Sequence, residues 1–244
     1  MNRLLVPGLL IGLLISTGAR AETVSVAVAA NFTAVAEQLA PLFKAETGHD
    51  VSYSFGATGQ LYTQITQGAP FEVLLAADDE RPARAATEGL GVDGSVFTYA
   101  IGTLALYSTS IDLADGAAVL KADTFQKIAI ADPETAPYGR AAMETVSALG
   151  LSDAITPKLV TGENISQTLQ FVESGNAELG FVAASQVIGK PGVWLVPAGL
   201  YAPIRQDAVL LETGKDNPAA TAFLDFLSSD AAVAVIEAAG YRVD

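Results

Sequence analysis

The stretch "SVAVAANFTAVAEQLAPLF" (25–43) predicts the fold of this chain, because it joins a buried strand directly to an amphipathic helix. Small and β-branched residues predict a strand over 23–29, and apolar residues at helical spacing predict a helix over 32–48. The polar amide of Asn31 lies at the junction. It predicts either an ordinary helix cap or the wall of an anion site at the start of the helix.

The same alternation of strand and helix continues along the chain. A predicted strand over 50–56 is followed by a helix that begins at residue 58, and the strands over 71–78 and 127–134 also run into helices. Strands that alternate with helices of this length indicate βαβ units with parallel pairing. Ligands of such sheets lie beyond the carboxyl ends of the strands, so the strand-to-helix junctions are the candidate site.

The composition excludes several classes of function. The chain has 244 residues, with 13 Lys and Arg against 27 Asp and Glu, for a formal net charge of −14. This charge argues against binding nucleic acid or an anionic membrane through a basic surface. The chain has no cysteine, which excludes disulfides, thiolate catalysis and thiolate metal sites.

Residues 1–21 predict a cleavable signal peptide. Arg3 precedes the apolar run "LLVPGLLIGLLIS" (4–16), and "ARA" (19–21) matches a small-residue cleavage site. A membrane anchor is the alternative, but the apolar run is shorter than the ~20 residues that a span needs. We therefore expect an exported chain that begins at Glu22, with no direct insertion into the membrane.

Three short features of the sequence suggest cofactor binding or catalysis, and each is better explained by a structural role. "GLGVDG" (89–94) has the spacing of a dinucleotide fingerprint, but it follows a helix and precedes a strand, which is the reverse of the required order. The single histidine, His49, follows a glycine in a predicted turn. "ADDE" (77–80) could hold a cation in an exported metal-dependent hydrolase, or it could be the acidic first turn of a helix. We expect no enzymatic activity.

Five strand-to-helix junctions share one feature, which is a set of unpaired backbone N–H groups with partial positive charge. They lie at Asn31, Thr58, Ala77, Tyr138 and Ile165. If they converged on one point, these groups would bind an anion without any lysine or arginine. Each junction taken alone is also consistent with an ordinary helix cap.

Four motifs resemble a known family, the molybdate-binding periplasmic proteins of ABC transporters. They are "AVAANFTAVAEQLAPLF" (27–43), "FGATGQLYTQITQGAPFEVLLAADDERP" (55–82), "ADPETAPYG" (131–139) and "ELGFVAASQV" (178–187). The resemblance implies an α/β, two-lobed periplasmic binding protein fold, in which each lobe is a mixed sheet flanked by helices and two crossover strands join the lobes. It implies a first lobe of 22–101 and 205–244 and a second lobe of 102–204, with crossovers in the β-rich runs 96–108 and 204–212.

The resemblance also implies a site for molybdate or tungstate. Asn31 and Thr58 would donate from their side chains, and Ala77, Tyr138 and Ile165 from their backbone N–H groups, with no cofactor and no residue bonded directly to the metal. Some family members have a tyrosine where this chain has Ala183. The hydroxyl of Tyr138 is one candidate to replace that donor.

The last expectations concern the location, the partners and the ligand of the protein. The resemblance implies a periplasmic monomer that delivers its anion to the permease and ATPase of an ABC importer. Sulfate and molybdate are both tetrahedral dianions, so the number of donors does not separate them, and a binding protein for another oxyanion remains an alternative. Molybdate and tungstate are too similar in size for the sequence to rank.

Overall fold

The computed structural model describes residues 21–243, so the predicted signal peptide lies outside the described residues apart from Ala21. It contains two five-stranded sheets, each flanked by helices. The strands are β1 (Thr23–Ala29), β2 (Asp50–Gly56), β3 (Val73–Leu75), β4 (Phe97–Gly102), β5 (Leu104–Tyr107), β6 (Ile128–Ala131), β7 (Leu159–Gly162), β8 (Leu179–Ala183), β9 (Val193–Leu195) and β10 (Ile204–Leu210).

Nine α-helices are present among residues 21–243. They are α1 (Thr33–Thr47), α2 (Thr58–Thr66), α3 (Glu80–Thr87), α4 (Gly116–Ala122), α5 (Pro137–Ala148), α6 (Ser152–Ile155), α7 (Ile165–Glu173), α8 (Pro218–Leu227) and α9 (Asp230–Ala238). A turn of 3₁₀ helix, Ala30–Phe32, leads into α1. No single helix in this part of the chain is long and apolar enough to cross a membrane, although α8 and α9 together, bent by 58°, meet that test of length and composition.

Both sheets are mixed. The first lobe has the strand order β2-β1-β3-β10-β4, in which β1 pairs in parallel with β2 and β3, and β10 runs antiparallel to β3 and β4. The second lobe has the order β7-β6-β8-β5-β9, in which β6 pairs in parallel with β7 and β8, and β5 is antiparallel to both of its neighbours. The parallel strands bring their carboxyl ends to one edge of each sheet.

The chain passes between the lobes twice. Thr103 alone separates β4 of the first sheet from β5 of the second, so the β-rich run predicted over 96–108 is two strands in two sheets. The return follows β9 and ends at Ile204, where β10 joins the first sheet. These points lie close to the predicted lobe boundaries, which remain a prediction.

Aromatic side chains fill the core of the first lobe between its sheet and α1, α8 and α9. The rings of Phe32 and Tyr99 meet edge to face at 4.9 Å, and Phe43 meets Phe223 in the same way at 5.3 Å. Such edge-to-face pairs add to the stabilisation that burial of the rings supplies. The packing holds the start of α1, next to Asn31, firmly against the sheet.

Several elements differ from the prediction. The strands expected over 71–78 and 127–134 are only Val73–Leu75 and Ile128–Ala131, and α4, α6 and β7 were not predicted. The helix α4 begins at a glycine and depends on its cap, because the Asp115 side chain accepts a bond of 3.0 Å from the Ala118 N–H. The strand β7 is four residues long at the edge of its sheet, so its alternation is too short to detect. The "GLGVDG" segment is the predicted turn, with Gly89 and Gly94 at φ of 72° and 77°.

Candidate functional site

A small cavity between the lobes, called the interlobe cavity below, is lined by residues that follow the carboxyl ends of five strands. Its lining residues are Ala29, Ala30, Asn31, Gly56, Ala57, Thr58, Ala77, Ala136, Pro137, Tyr138, Asn164 and Ile165. All five residues predicted from the sequence are among them, and none of the lining residues is charged. The structure therefore brings the predicted residues together, while their part in ligand binding remains a prediction.

Helix starts point into the interlobe cavity from both lobes. The 3₁₀ turn before α1 and the first residue of α2 come from the first lobe, and the starts of α5 and α7 come from the second. The first N–H groups of a helix have no partner inside it and carry partial positive charge. Convergence of these starts makes the cavity electropositive without a cationic side chain.

The first turns of α5 and α7 explain which N–H groups can bind. Pro137 begins α5 and has no N–H, so Tyr138 supplies the first donor of that helix. In α7 the Asn164 side chain accepts bonds of 3.0 and 3.1 Å from the N–H groups of Ser166 and Gln167. This cap leaves the N–H of Ile165 as the donor next to the cavity. Both geometries agree with the backbone roles predicted for Tyr138 and Ile165.

Thr58 and Ala77 are joined by a hydrogen bond. The Thr58 hydroxyl oxygen, almost fully buried, accepts a bond of 3.0 Å from the Ala77 N–H. Because the oxygen accepts this bond, the hydroxyl hydrogen of Thr58 turns away from Ala77 and can donate to a ligand. In this structure the Ala77 N–H orients the hydroxyl of Thr58, and its direct donation to the anion remains a prediction.

The Asn31 side chain is hydrogen-bonded to two other residues of the protein. Its Nδ2 group donates to Gln206 Oε1 at 2.8 Å and to the Tyr241 hydroxyl at 3.0 Å. These two bonds use both amide hydrogens. In this structure the side chain anchors the turn, and its donation to the anion remains a prediction.

The Tyr138 hydroxyl is hydrogen-bonded within the protein. The hydroxyl oxygen accepts a bond of 3.1 Å from Gln206 Nε2. Burial raises the pKa of this hydroxyl well above its ordinary value, so the group stays protonated at neutral pH. The structure pairs this hydroxyl oxygen with Gln206, and replacement of the tyrosine missing at Ala183 by the Tyr138 hydroxyl remains a prediction.

Sequence reasoning missed four residues around the site: Gln206, Tyr99, Tyr241 and Ser185. Gln206 is fully buried, and its Oε1 lies 3.2 Å from the Tyr99 hydroxyl. The Tyr241 hydroxyl donates to the backbone oxygen of Asn31 at 2.9 Å. The sequence contains one indication that Gln206 is buried. It follows the apolar Ile204 by two residues, so both side chains lie on the same face of a strand. Its partners are too distant in sequence to be inferred.

The lobes touch each other directly beside the interlobe cavity. The N–H of Gly59 donates across the cleft to the backbone oxygen of Thr135 at 2.8 Å. The Ser166 hydroxyl donates to the backbone oxygen of Ala30 at 3.2 Å. A Cβ atom at Gly59 would lie 3.0 Å from the Cα of Thr135, so the glycine permits this close approach. These contacts show that the cleft between the two lobes is closed in this structure.

The carboxylates of "ADDE" do not gather into a metal site. Asp78 is buried in an ion pair with Arg81, and burial raises the pKa of the Asp78 carboxyl above its ordinary value although Arg81 lowers it. Glu80 pairs with Arg140 across the cleft at 3.4 Å. Within the described part of the chain, no three His, Asp or Glu side chains lie together as metal ligands would.

Comparisons with known proteins identify close relatives of this chain. Residues 24–242 match the family described as bacterial extracellular solute-binding protein. The molybdate-binding protein ModA of Rhodobacter capsulatus is 54% identical over 226 residues, which cover 91% of this chain and 89% of the relative. ModA of Azotobacter vinelandii is 53% identical over 235 residues, which cover 93% of each protein.

A solved structure agrees with the sequence comparisons. The Azotobacter vinelandii periplasmic molybdate-binding protein has a TM-score of 0.87 at 38% identity, covering 91% of this chain and 99% of that one. The resemblance found in the sequence motifs is therefore confirmed. The two-lobed α/β fold that it implied, with a mixed sheet in each lobe, is confirmed as well.

Proposed function

This chain belongs to the family of bacterial extracellular solute-binding proteins, and on that premise we propose that it captures molybdate or tungstate and delivers it to an ABC importer. The observation that carries the proposal is the interlobe cavity, where helix starts from both lobes meet and the lining has no charged residue. The names of the relatives at more than half identity support molybdate as the ligand.

The chemistry of the interlobe cavity suits a dianion. The backbone N–H groups of the helix starts and the hydroxyl of Thr58 are neutral donors, and each such bond to a charged oxygen contributes ~1.5–3 kcal/mol. Several of these bonds, reduced by the cost of ordering the lobes, reach about −8 kcal/mol or better, which corresponds to sub-micromolar affinity. A cationic side chain in contact with the anion is therefore unnecessary.

Selectivity against sulfate would come from the size of the closed cavity. A smaller tetrahedral anion would leave some donors out of reach, and each buried donor left without a partner costs ~1–3 kcal/mol. Direct contacts across the cleft, such as Gly59 N–H to Thr135, limit how far the lobes can approach to compensate. Sulfate should therefore bind more weakly than molybdate.

The same proposal places the protein in the periplasm as a binding protein without catalytic activity. Residues 1–21 would be a signal peptide, and the mature monomer would consist of a first lobe of 22–101 and 205–244 and a second lobe of 102–204. Its partners would be a permease and an ATPase. The rival hypothesis of a metal-dependent hydrolase loses its best candidate site, because Asp78 and Glu80 are each paired with an arginine.

Native mass spectrometry tests the ligand directly. The protein from Glu22 onward is mixed with equal concentrations of molybdate, tungstate, sulfate and phosphate, and the mass of the bound species is read. We expect one molybdate or tungstate per chain and no complex with the smaller anions. A sulfate or phosphate complex, or no anion at all, would refute the proposal.

A chelator experiment separates the binding protein from the enzyme. Calorimetric titration with molybdate is repeated after dialysis against a strong chelator of divalent cations. We expect the stoichiometry and the affinity to stay the same, since no divalent cation takes part. Loss of binding after chelation would favour the metal-dependent alternative.

A further inference from the structure

A group of buried polar side chains lies between the interlobe cavity and the crossover strands. We call it the Gln206 network, and it consists of Gln206, Asn31, Tyr99, Tyr138, Tyr241 and Ser185. Gln206 lies at the start of β10, where the chain returns from the second lobe, and its side chain has no exposed surface. A buried amide of this kind is costly unless its polar atoms are paired.

The Gln206 side chain pairs with three different segments of the protein. Its Oε1 accepts from Asn31 Nδ2 at 2.8 Å and lies 3.2 Å from the Tyr99 hydroxyl, which shares its one hydrogen with the Ala76 backbone oxygen at 3.0 Å. Its Nε2 donates to the Tyr138 hydroxyl at 3.1 Å. Gln206 is thereby joined to a cavity residue from each lobe and to β4, the other crossover strand.

The other crossover strand, β4, leaves room for the bond between Gln206 and Tyr138 because it carries a glycine, Gly102. A Cβ atom at Gly102 would lie 2.1 Å from the Tyr138 hydroxyl oxygen and 2.6 Å from Gln206 Nε2. Gly102 lies opposite Ile204 where β4 pairs with β10. A side chain at this position would push Tyr138 and Gln206 apart.

A second branch of the network also joins the lobes. The Tyr241 hydroxyl donates to the Asn31 backbone oxygen at 2.9 Å and accepts from Asn31 Nδ2 at 3.0 Å. The Ser185 hydroxyl, which follows β8 of the second lobe, lies 3.0 Å from the same Tyr241 oxygen. The turn that carries Asn31 is therefore tied to the first lobe on one side and to the second lobe on the other.

We propose that Gln206 is a positioning residue for anion capture: it holds Asn31 and Tyr138 in place on the two sides of the interlobe cavity and so stabilises the closed form. Gln206 belongs to the sheet of the first lobe, whereas Tyr138 lies in the first turn of α5 in the second. Because the bonded residues belong to different lobes, we expect rotation of one lobe away from the other to break their bond, so that the bond stabilises the closed arrangement. The inference rests on the proposed function, because its main readout is the release of the anion.

Stopped-flow kinetics with molybdate test the role of Gln206. The Gln206→Met variant keeps the length of the side chain and removes its hydrogen bonds. We expect the dissociation rate constant to rise about tenfold and the association rate constant to stay within about twofold, because association begins from the open form. Gln126→Met, at an exposed amide of the second lobe, is the matched control and should leave both constants unchanged. Unchanged dissociation in Gln206→Met would overturn the inference.

A double-mutant cycle distinguishes positioning from a general loss of stability. Tyr138→Phe removes the partner hydroxyl, and we expect the Gln206→Met, Tyr138→Phe double variant to release molybdate no faster than Gln206→Met alone. Rate increases that multiply would mean that the two residues act separately, which contradicts the proposal. Gly102→Ala removes no polar group and crowds the same bond, so it should also accelerate release. If Gln206→Met does not fold, the Gly102→Ala result decides.

Hydrogen exchange of the Gly59 amide adds a readout that needs no ligand. This N–H donates across the cleft, so its exchange rate reports opening of the lobes. We expect at least about threefold faster exchange in Gln206→Met than in the wild type, and equal rates would contradict the inference. If the wild-type protein binds neither molybdate nor tungstate, the proposed function is wrong, while the exchange comparison still tests the role of Gln206.

Discussion

The interlobe cavity and the Gln206 network lie side by side and use hydrogen bonds in opposite ways. The interlobe cavity is lined by uncharged residues and helix starts, whose donors point inward and are available to a guest. The Gln206 network consists of side chains that bind each other. Among residues 21–243, the buried side-chain polar atom without a partner is the hydroxyl of Tyr53, which is not part of either region.

The comparison shows where this protein depends on its side chains. Most cavity donors are backbone N–H groups, which substitution does not remove, so changes there act through the path of the backbone. The network donors are amides and phenols, which one substitution deletes. Affinity should therefore respond most to the approach of the lobes, less to the hydroxyl of Thr58, and least to pH.

The largest expected effect comes from blocking the approach of the lobes at Gly59. A Cβ atom there already lies 3.0 Å from the Thr135 Cα and 3.0 Å from Arg81 Nη2, and the Gly59→Val variant adds two further methyl groups. The lobes could then close only with a shift that moves donors away from the anion. We expect molybdate to bind at least about 100-fold more weakly in calorimetry.

A matched variant shows whether this effect comes from closure. Gln64→Val places the same residue in the same helix at an exposed position, and its affinity should stay close to that of the wild type. The thermal midpoint of the ligand-free protein should stay close to that of the wild type in both variants, because in a helix valine is slightly better than glycine and slightly worse than glutamine. Tight binding by Gly59→Val would mean that the cavity works without close contact between the lobes.

An intermediate effect is expected at Thr58, whose hydroxyl is a side-chain donor in the lining of the interlobe cavity. Thr58→Val keeps the shape, removes the donor and leaves the Ala77 N–H without its acceptor. We expect the affinity for molybdate to fall about 10- to 100-fold, measured by calorimetry. Thr58→Ser keeps the hydroxyl and should stay within about threefold. Equal affinity in all three proteins would show that the site depends on backbone donors alone.

The smallest effect is expected from pH. Burial raises the pKa of Tyr241 to about 12 and that of Tyr138 well above its ordinary value, so both phenols stay protonated through the neutral range. A raised pKa gives stability that is complete below the unfolded value of about 10 and is lost only as pH rises through the folded value. The affinity for molybdate should therefore change less than about twofold between pH 6 and 9. A sharp change within that range would mean that another titrating group controls the site.

The sequence was a good guide to the fold and to the positions of the site residues, because both depend on local patterns. The run 25–43 shows a strand, a junction and a helix within one stretch, and the strand and helix were found at Thr23–Ala29 and Thr33–Thr47. The other junctions follow the same pattern. Parallel strands then bring their carboxyl ends to one edge, so junctions far apart in sequence meet in the interlobe cavity.

The partners of the side chains could not be predicted in the same way. Asn31 and Gln206 are 175 residues apart, and Asn31 and Tyr241 are 210 apart. Nothing in the pattern around Asn31 indicates that its amide binds these two residues rather than a ligand. The bond from Ala77 to Thr58 likewise depends on how β3 and the start of α2 lie next to each other, which is a property of the packed lobe.

The position of β10 constrains the order in which the parts of the protein can fold. This strand is the last of the chain, yet it lies inside the first sheet, between β3 and β4. The first lobe therefore stays incomplete until the C-terminal segment has emerged from the ribosome and been inserted between two earlier strands. Non-local pairing of this kind slows folding. A chain that folds slowly stays unfolded for longer, which suits the proposed export of this protein in an unfolded form through a narrow translocation pore.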